Sequence, residues 1–259
     1  MIDLNLEGAR IRSSFDRAAS SYDQAAELQR RVADTLLRNF VFTNPHSIVD
    51  GGCGTGYGTA GLAARFPDAQ LLGLDLAPGM LQATRQRLSH QSLVCADIQA
   101  LPLSERSIDL LWSSLMLQWC NRLDLAFADI QRCLRAEGEF VFSTFGPATL
   151  HELRNSFSDG HTHVSRFIDA EAIKELLHTA GFIDVRTDTR TEILYYADAK
   201  SLMQELKAIG AHNATAGRAR GLTGKRGWQM MLHNYEQHRS EAGLPASYEV
   251  IYVSARKAG

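Results

Sequence analysis

The sequence predicts an α/β protein built on a mostly parallel sheet with helices on both faces, and three observations predict it. Between about residues 46 and 145, short β-rich runs alternate with segments whose apolar residues recur at helical spacing. The run Ser47-Ile48-Val49-Asp50 ends in an acid and passes straight into a cluster of glycines, the turn expected where a strand feeds a helix at the ligand-binding edge of such a sheet. Two further runs end in acids, at Asp75 and Asp97.

Taken in order, strands are expected at 46–50, 69–75, 92–97, 107–114 and 138–145, with helices at 59–66, 78–88 and 123–135 between them. Pro78 suits a first helical turn, where its missing N–H costs nothing. A helix over 169–181 starts on the cap Asp169 and stops at Gly181. Runs at 182–196 and 247–257 complete a seven-stranded sheet. Two segments stand outside this alternation. Residues 10–38 read as one helix carrying Ala18, Tyr22, Ala25, Ala26 and Gln29 on a single face. Residues 199–241 read as a helical insertion before the last strand, and up to residue 226 it carries Lys200, Lys207, Arg218, Arg220, Lys225 and Arg226 against the single acid Glu205.

Composition narrows the class. A chain of 259 residues with 45% hydrophobic and 22% charged residues and a net charge of −2 is that of an ordinary soluble globular protein, so neither a nucleic-acid nor a membrane partner is expected. Cys53, Cys95, Cys120 and Cys133 form no C-x-x-C pair, and the first residues lack the apolar core of a secretory signal, which together lead to an expectation of a reducing cytoplasm. His161 and His163 have no ligand-spaced neighbours and H-E-x-x-H is absent, so no metal is expected.

Residues 50–61 contain two overlapping glycine patterns. Gly56-Tyr57-Gly58-Thr59-Ala60-Gly61 spells G-x-G-x-x-G, but a dinucleotide loop must follow its strand directly, and this match begins where the helix itself should begin. Asp50-Gly51-Gly52-Cys53-Gly54-Thr55-Gly56 is in the right phase instead. Gly52, Gly54 and Gly56 let the main chain turn sharply and approach a ligand where a Cβ would intrude. Asp75, 25 residues after Asp50, is placed to accept both hydroxyls of a ribose and would repel a 2′-phosphate. Asp97 is placed to accept an adenine amine, with the amide of Ile98 reading a ring nitrogen. Each feature alone has a plain explanation as a turn or a helix cap. Three in consecutive βα units, all at carboxyl ends of strands, point to a nucleoside cofactor without a phosphate to cradle.

This stretch resembles the class I S-adenosylmethionine-dependent methyltransferases, whose first motif is D-x-G-x-G-x-G, and the resemblance implies their Rossmann-like fold. It carries Asp50, Gly52, Gly54 and Gly56 over to the methionine and ribose end of S-adenosyl-L-methionine, Asp75 and Leu76 to the ribose, Asp97 and Ile98 to the adenine, and Ser113, Ser114 and Leu115 to the face of the cofactor. Further motifs narrow the family. Phe15-Asp16-Arg17-Ala18-Ala19, Tyr22-Asp23, Leu28-Gln29, the LQWC of 117–120, residues 143–153, 206–225 and the closing YEVIY are similar to the malonyl-acyl-carrier-protein O-methyltransferases of the BioC type, which serve biotin synthesis. One departure is Gly51, where relatives often carry a larger aliphatic residue; a slightly looser loop is expected.

The resemblance implies transfer of a methyl group to the free carboxylate of malonyl-acyl-carrier protein or malonyl-CoA. Such a carboxylate is ionised at neutral pH, its pKa lying near about 4, so no general base is required and orientation and water exclusion carry the rate. A dry site needs a cover. The chain is accordingly divided into an N-terminal helical lid over 1–38, a cofactor-binding core over 39–198, an insertion over 199–245 and the last strand over 246–259. Tyr22 is expected near the transferring methyl, with Gln29 beside the cofactor, against the plainer reading that Tyr22 is a core aromatic. Lys207, Arg218, Arg220, Lys225 and Arg226 are candidates for docking an acidic carrier protein, against the plainer reading of a solvated charged face. Arg166, His163 and Lys207 are open candidates for gripping the malonyl carboxylate. A monomer is expected. The competing readings are a methyltransferase for another small acid, a quinone-like molecule or tRNA, a module that binds S-adenosylmethionine without reacting it, and a nicotinamide dehydrogenase, which the glycine phase disfavours.

Overall fold

The computed structural model describes residues 8–39, 44–157, 167–211 and 225–259. Seven strands, β1 (Ser47–Gly51), β2 (Gln70–Asp75), β3 (Ser92–Cys95), β4 (Ile108–Ser114), β5 (Leu134–Phe145), β6 (Phe182–Tyr196) and β7 (Leu244–Lys257), form one sheet in the order β3-β2-β1-β4-β5-β7-β6. Only β7 opposes its neighbours. The chain steps outward from β1 through β2 to β3, then returns to place β4 on the other side of β1. That reversal opens a crevice at the carboxyl ends of β1 and β4, where open α/β sheets bind their ligands.

Strands buried on both faces need apolar residues at successive positions, and β1 supplies them. Ile48 packs with Leu110, Trp112 and Val141 on one face of the sheet, while Val49 packs with Leu111, Phe140 and Phe142 on the other. Among the helices, α4 (Tyr57–Arg65) covers the first face and α6 (Leu123–Cys133) and α8 (Ala170–Thr179) cover the second. Pro78 opens α5 (Pro78–Arg87) as expected. Asp169 caps α8, its Oδ1 accepting from the Ala172 amide at 2.8 Å, and Gly181 follows with a left-handed φ of 90°.

The N-terminal segment departs from the sequence expectation. Instead of one helix it forms α1 (Gly8–Ala18), α2 (Tyr22–Ala25) and α3 (Glu27–Asn39). The Ser21 hydroxyl hydrogen-bonds the carbonyls of Ala18 at 3.2 Å and Ala208 at 3.0 Å, which replaces helix continuation with a turn. Ala26, at φ −96° and ψ 41°, ends the second turn. Tyr22 and Gln29 therefore sit on different helices. β5 also begins earlier than expected, at Leu134, directly after α6. The short helix α7 (His151–Ser156) was not anticipated. Between β6 and β7 lie α9 (Ala199–Ala208) and α10 (Lys225–Glu236).

Candidate cofactor and active site

The glycine loop is folded back onto the end of β2. The amides of Gly52 and Cys53 both donate to the Leu74 carbonyl, at 2.7 and 2.9 Å, and the Gly54 amide donates to Asp75 Oδ2 at 2.9 Å. Thr84 of α5 fastens the loop from behind, its hydroxyl donating to the Gly54 carbonyl at 2.7 Å. Gly52, Gly54 and Gly56 all take positive φ, at 79°, 55° and 82°. A Cβ on Gly52 would collide with Met116, whereas one on Gly54 would meet open space. Gly56 is the N-cap of α4, so the overlapping G-x-G-x-x-G begins inside the helix start and not in the turn after β1.

Two lobes of empty space meet over this loop. The first, about 850 Å³ including its mouth, is lined by Asp75, Leu76, Asp97, Ile98, Gln99 and Leu115, and, on the side of the N-terminal helices α1 to α3, which together form a strap, by Ile11 and Phe15. The second, about 460 Å³, is lined by Asp50, Gln29, Arg30, Tyr57 and Trp112. Tyr22, Gly52, Gly54 and Ser114 line both and so mark the waist between them. Phe15 is packed edge-on against Trp119, ring centroids 5.4 Å apart, which draws α1 over the first lobe. Leu115 is held in the left-handed region at φ 48°, its amide donating to Ser143.

Electrostatics differ between the acids. Asp50 is 1% exposed; Oδ2 accepts from the Thr59 hydroxyl at 2.6 Å, while Oδ1 has no partner. Burial pushes its pKa up to about 7, against the lowering effect of Thr59 and with the charge of Asp75 adding to the rise. Asp75 is raised to about 6, chiefly by burial, although the amides of Ala77 and Gly54 favour its charged form. Each of its oxygens can accept a second hydrogen bond. Asp97 Oδ1 accepts the Gln99 amide at 2.9 Å, and the Gln99 side chain reaches both carboxylate oxygens at 3.2 Å. Burial and the Asp75 charge raise the Tyr22 phenol, which stays protonated at neutral pH.

Not every residue singled out from sequence lies at the cavity. Ser113 is fully buried with its hydroxyl donating to the Gly51 carbonyl at 2.7 Å; it braces β1 and does not line the cavity. Gly56 packs against Thr84, a Cβ there standing 2.8 Å from Cγ2. Gly51 does not loosen the loop: it is the last residue of β1, and a Cβ on it would stand 2.7 Å from Ile98 Cδ1, so its bareness makes room for Ile98. Lys207 and Arg226 are exposed on α9 and α10. His161, His163, Arg166, Arg218 and Arg220 lie outside the described residues, as does the side chain of Lys225. Trp112, Arg30, Thr59 and Gln99 were missed. Trp112 reads in sequence as one more apolar strand residue, and Arg30 as one more charge on a helix.

Residues 49–142 match the model of a methyltransferase domain. The malonyl-[acyl-carrier protein] O-methyltransferase of Methylovorus sp. is 48% identical, with 97% of this chain and 90% of that protein covered, and its namesake from Laribacter hongkongensis is 46% identical over 95% and 88%. The chain belongs to the malonyl-[acyl-carrier protein] O-methyltransferases. The biotin biosynthesis bifunctional protein BioHC of Saccharophagus degradans is 41% identical, with 96% of this chain covering 46% of it. Solved structures share the fold. A methyltransferase from Haloferax volcanii in complex with its Trm112 activator superposes with a TM-score of 0.61 at 20% identity, covering 96% of this chain and 98% of that one. A phosphoethanolamine N-methyltransferase of Haemonchus contortus bound to S-adenosyl-L-methionine superposes at 0.57 and 16% identity, covering 94% and 57%.

The methyl donor of this O-methyltransferase is S-adenosyl-L-methionine, and its own residues fit that group. The unpartnered, buried Asp50 Oδ1 calls for a donor such as an ammonium, and the open space at the Gly54 Cβ position is a cradle that any other residue would begin to fill.

Proposed function

We propose that the protein methylates the free carboxylate of a malonyl thioester carried on acyl-carrier protein, giving the methyl ester that primes biotin synthesis. The observation that carries this reading is near-full-length similarity to enzymes of that name together with a two-lobed cavity whose waist lies between Tyr22 and the glycine loop. Asp97 and Ile98 would hold the adenine, Asp75 and Leu76 the ribose, and Asp50 and the loop the amino-acid end. When bound, the cofactor supplies an electrophilic sulfonium methyl. Everything else falls to the chain. The strap residues Ile11, Phe15 and Tyr22 exclude water, so that a malonyl carboxylate, ionised already, is presented unsolvated and aligned. Tyr22, neutral at the waist, orients the reacting groups and takes no proton. No residue acts as a base. Malonyl-CoA would be accepted less well if the basic insertion docks the carrier, and the same arrangement would function in a monomer.

The test is methyl transfer from labelled S-adenosylmethionine to malonyl-acyl-carrier protein, with succinyl-carrier protein and malonyl-CoA alongside. Base-labile label on the malonyl carrier is expected, reduced in kcat by Tyr22→Phe. Cofactor binding without label on that carrier would sink the substrate assignment. Unchanged turnover of Tyr22→Phe would remove the hydroxyl from the mechanism.

A further inference from the structure

The waist where the two lobes meet has a composition of its own. Among the described residues, Gly52, Gly54, Tyr22 and Ser114 line both lobes. Two of the four bring no side chain, and the amides of both glycines are already donated, to the Leu74 carbonyl and to Asp75 Oδ2. The polar side-chain groups at the waist are therefore two hydroxyls. The Tyr22 phenol makes no hydrogen bond among the described residues, and burial keeps it protonated. Ser114 is the last residue of β4, and its hydroxyl stands 3.2 Å from that of Ser143, its partner on β5. Elimination gives the direction of that hydrogen bond. Ser143 is fully buried, and its hydroxyl oxygen already accepts the Leu115 amide at 3.1 Å. Among the described residues its own proton has Ser114 Oγ alone as acceptor, and a buried O–H without an acceptor is costly. Ser143 therefore donates, and Ser114 keeps its single proton for whatever fills the waist. The backbone is strained to hold this arrangement: Leu115 follows at φ 48°, its amide shared by the carbonyl and the hydroxyl of Ser143. Two O–H donors presented to one space suit an anion.

We propose that Ser114 and Tyr22 hold the malonyl carboxylate at the waist through two neutral hydrogen bonds, with Ser143 as the positioning residue that orients Ser114. This rests on the malonyl carboxylate being the methyl acceptor. A neutral grip fits the chemistry. In the transfer an oxygen lone pair of the carboxylate becomes the new O–CH3 bond, the electrons of the broken C–S bond stay on sulfur, and no proton moves. The charge of the carboxylate disappears as this happens, so a guanidinium or ammonium bonded to it would stabilise the starting state more than the transition state. Hydroxyls fix the direction of the reacting oxygen and give up less of its nucleophilicity, because hydrogen bonds from neutral donors are weaker than those from cations.

The experiment measures affinity by calorimetry, on enzyme saturated with S-adenosylhomocysteine, for malonyl-acyl-carrier protein and for acetyl-acyl-carrier protein, which lacks the carboxylate. Wild type, Ser114→Ala, Ser114→Thr and Tyr22→Phe are compared. The wild type is expected to prefer the malonyl carrier. Ser114→Ala and Tyr22→Phe should each weaken it by roughly tenfold to a hundredfold, the range of a hydrogen bond to a charged group, while the acetyl carrier and S-adenosylhomocysteine stay within about twofold. Those two unchanged affinities also show that the variants are folded. Ser114→Thr keeps the hydroxyl on a side chain suited to a strand and should recover most of the loss. Equal losses for the malonyl and acetyl carriers, or a loss confined to one of the two hydroxyls, would overturn the proposal. So would a weakened S-adenosylhomocysteine with an unchanged malonyl preference, which would give Ser114 to the cofactor, and so would a wild type that methylates the malonyl carrier without preferring it. A wild type that binds S-adenosylhomocysteine yet does not methylate the malonyl carrier would instead remove the substrate reading, and this inference with it.

Discussion

Asp50 is a buried carboxylate with one satisfied oxygen, and its raised pKa is the electrostatic record of that half-finished environment. Thr59, Asp75 and the neighbouring Trp112 face it, and none of them is a cation. In the free protein it holds its proton up to about pH 7, while in the unfolded chain it releases it near 3.8. The folded state therefore binds more protons across that window, and Asp50 makes the free protein lose stability as pH rises from the ordinary carboxyl range to about 7, with no further loss above. Binding an ammonium beside Asp50 favours the ionised form. S-adenosylhomocysteine affinity is thus expected to climb with pH, by up to about tenfold per unit, and level off above about 7. Calorimetry in buffers of different ionisation enthalpy should record proton release below that point, and Asp50→Asn should flatten the profile. A profile that stays steep in Asp50→Asn would assign the proton elsewhere, Asp75 being the next candidate.

At the scale of the element, the glycine loop separates two reasons for having no side chain. Gly52 and Gly54 both sit at positive φ, where an alanine costs about 1–2 kcal/mol. At Gly52 the Cβ also collides with Met116 in a packed wall, adding roughly 1–3 kcal/mol. At Gly54 it meets only the cavity. Gly52→Ala should therefore lower the denaturation midpoint clearly more than Gly54→Ala, and Gly54→Ala should lose cofactor affinity out of proportion to its small stability cost. Chemical denaturation beside calorimetry checks this, and equal stability losses in the two variants would show that Met116 gives way. The strap obeys the same logic of local chemistry overruled by contacts. Its helical pattern is real, but Ser21 finds the Ala208 carbonyl and turns the chain inward, which brings Tyr22 to the waist of the cavity.

At the scale of the molecule, the insertion meets the strap. Gly210, at φ 73°, lies against α1 so closely that a Cβ would stand 3.2 Å from the Ser14 carbonyl, and Ser21 ties the strap to the end of α9. A carrier protein docked on the basic residues of the insertion would thus deliver its acyl arm beside the cofactor cover. Opposite charges on exposed surfaces attract over roughly 10 Å at 0.1 M salt and progressively less as salt rises. The KM for malonyl-carrier protein is therefore expected to climb several-fold between low and moderate salt while that for malonyl-CoA changes little, and Lys207→Glu together with Arg226→Glu should reproduce the effect at constant salt. Equal salt dependence for both substrates would return these residues to a solvated face.

The sheet and the cofactor class were readable in the sequence, and so was the placing of Asp50, Asp75 and Asp97 along one cavity, because they rest on local facts: a strand's period, the dihedrals only glycine tolerates, and the acid at or just past a strand's end. The phase of the glycines relative to Asp50 was enough to choose a phosphate-free nucleoside over a dinucleotide. What the sequence alone could not decide were facts of register and long-range partnership. Ser113 and Ser114 are adjacent in a strand, so one must turn from the cavity, and the hydrogen bond from Ser113 to Gly51 on the next strand selects which. The strap breaks because Ser21 meets a carbonyl 187 residues away, a distance over which no periodicity carries information. Arg30 and Trp112 join the site for the same reason: α3 and β4 come together only when the sheet has formed, and a charge or an indole has no sequence mark saying what it will face.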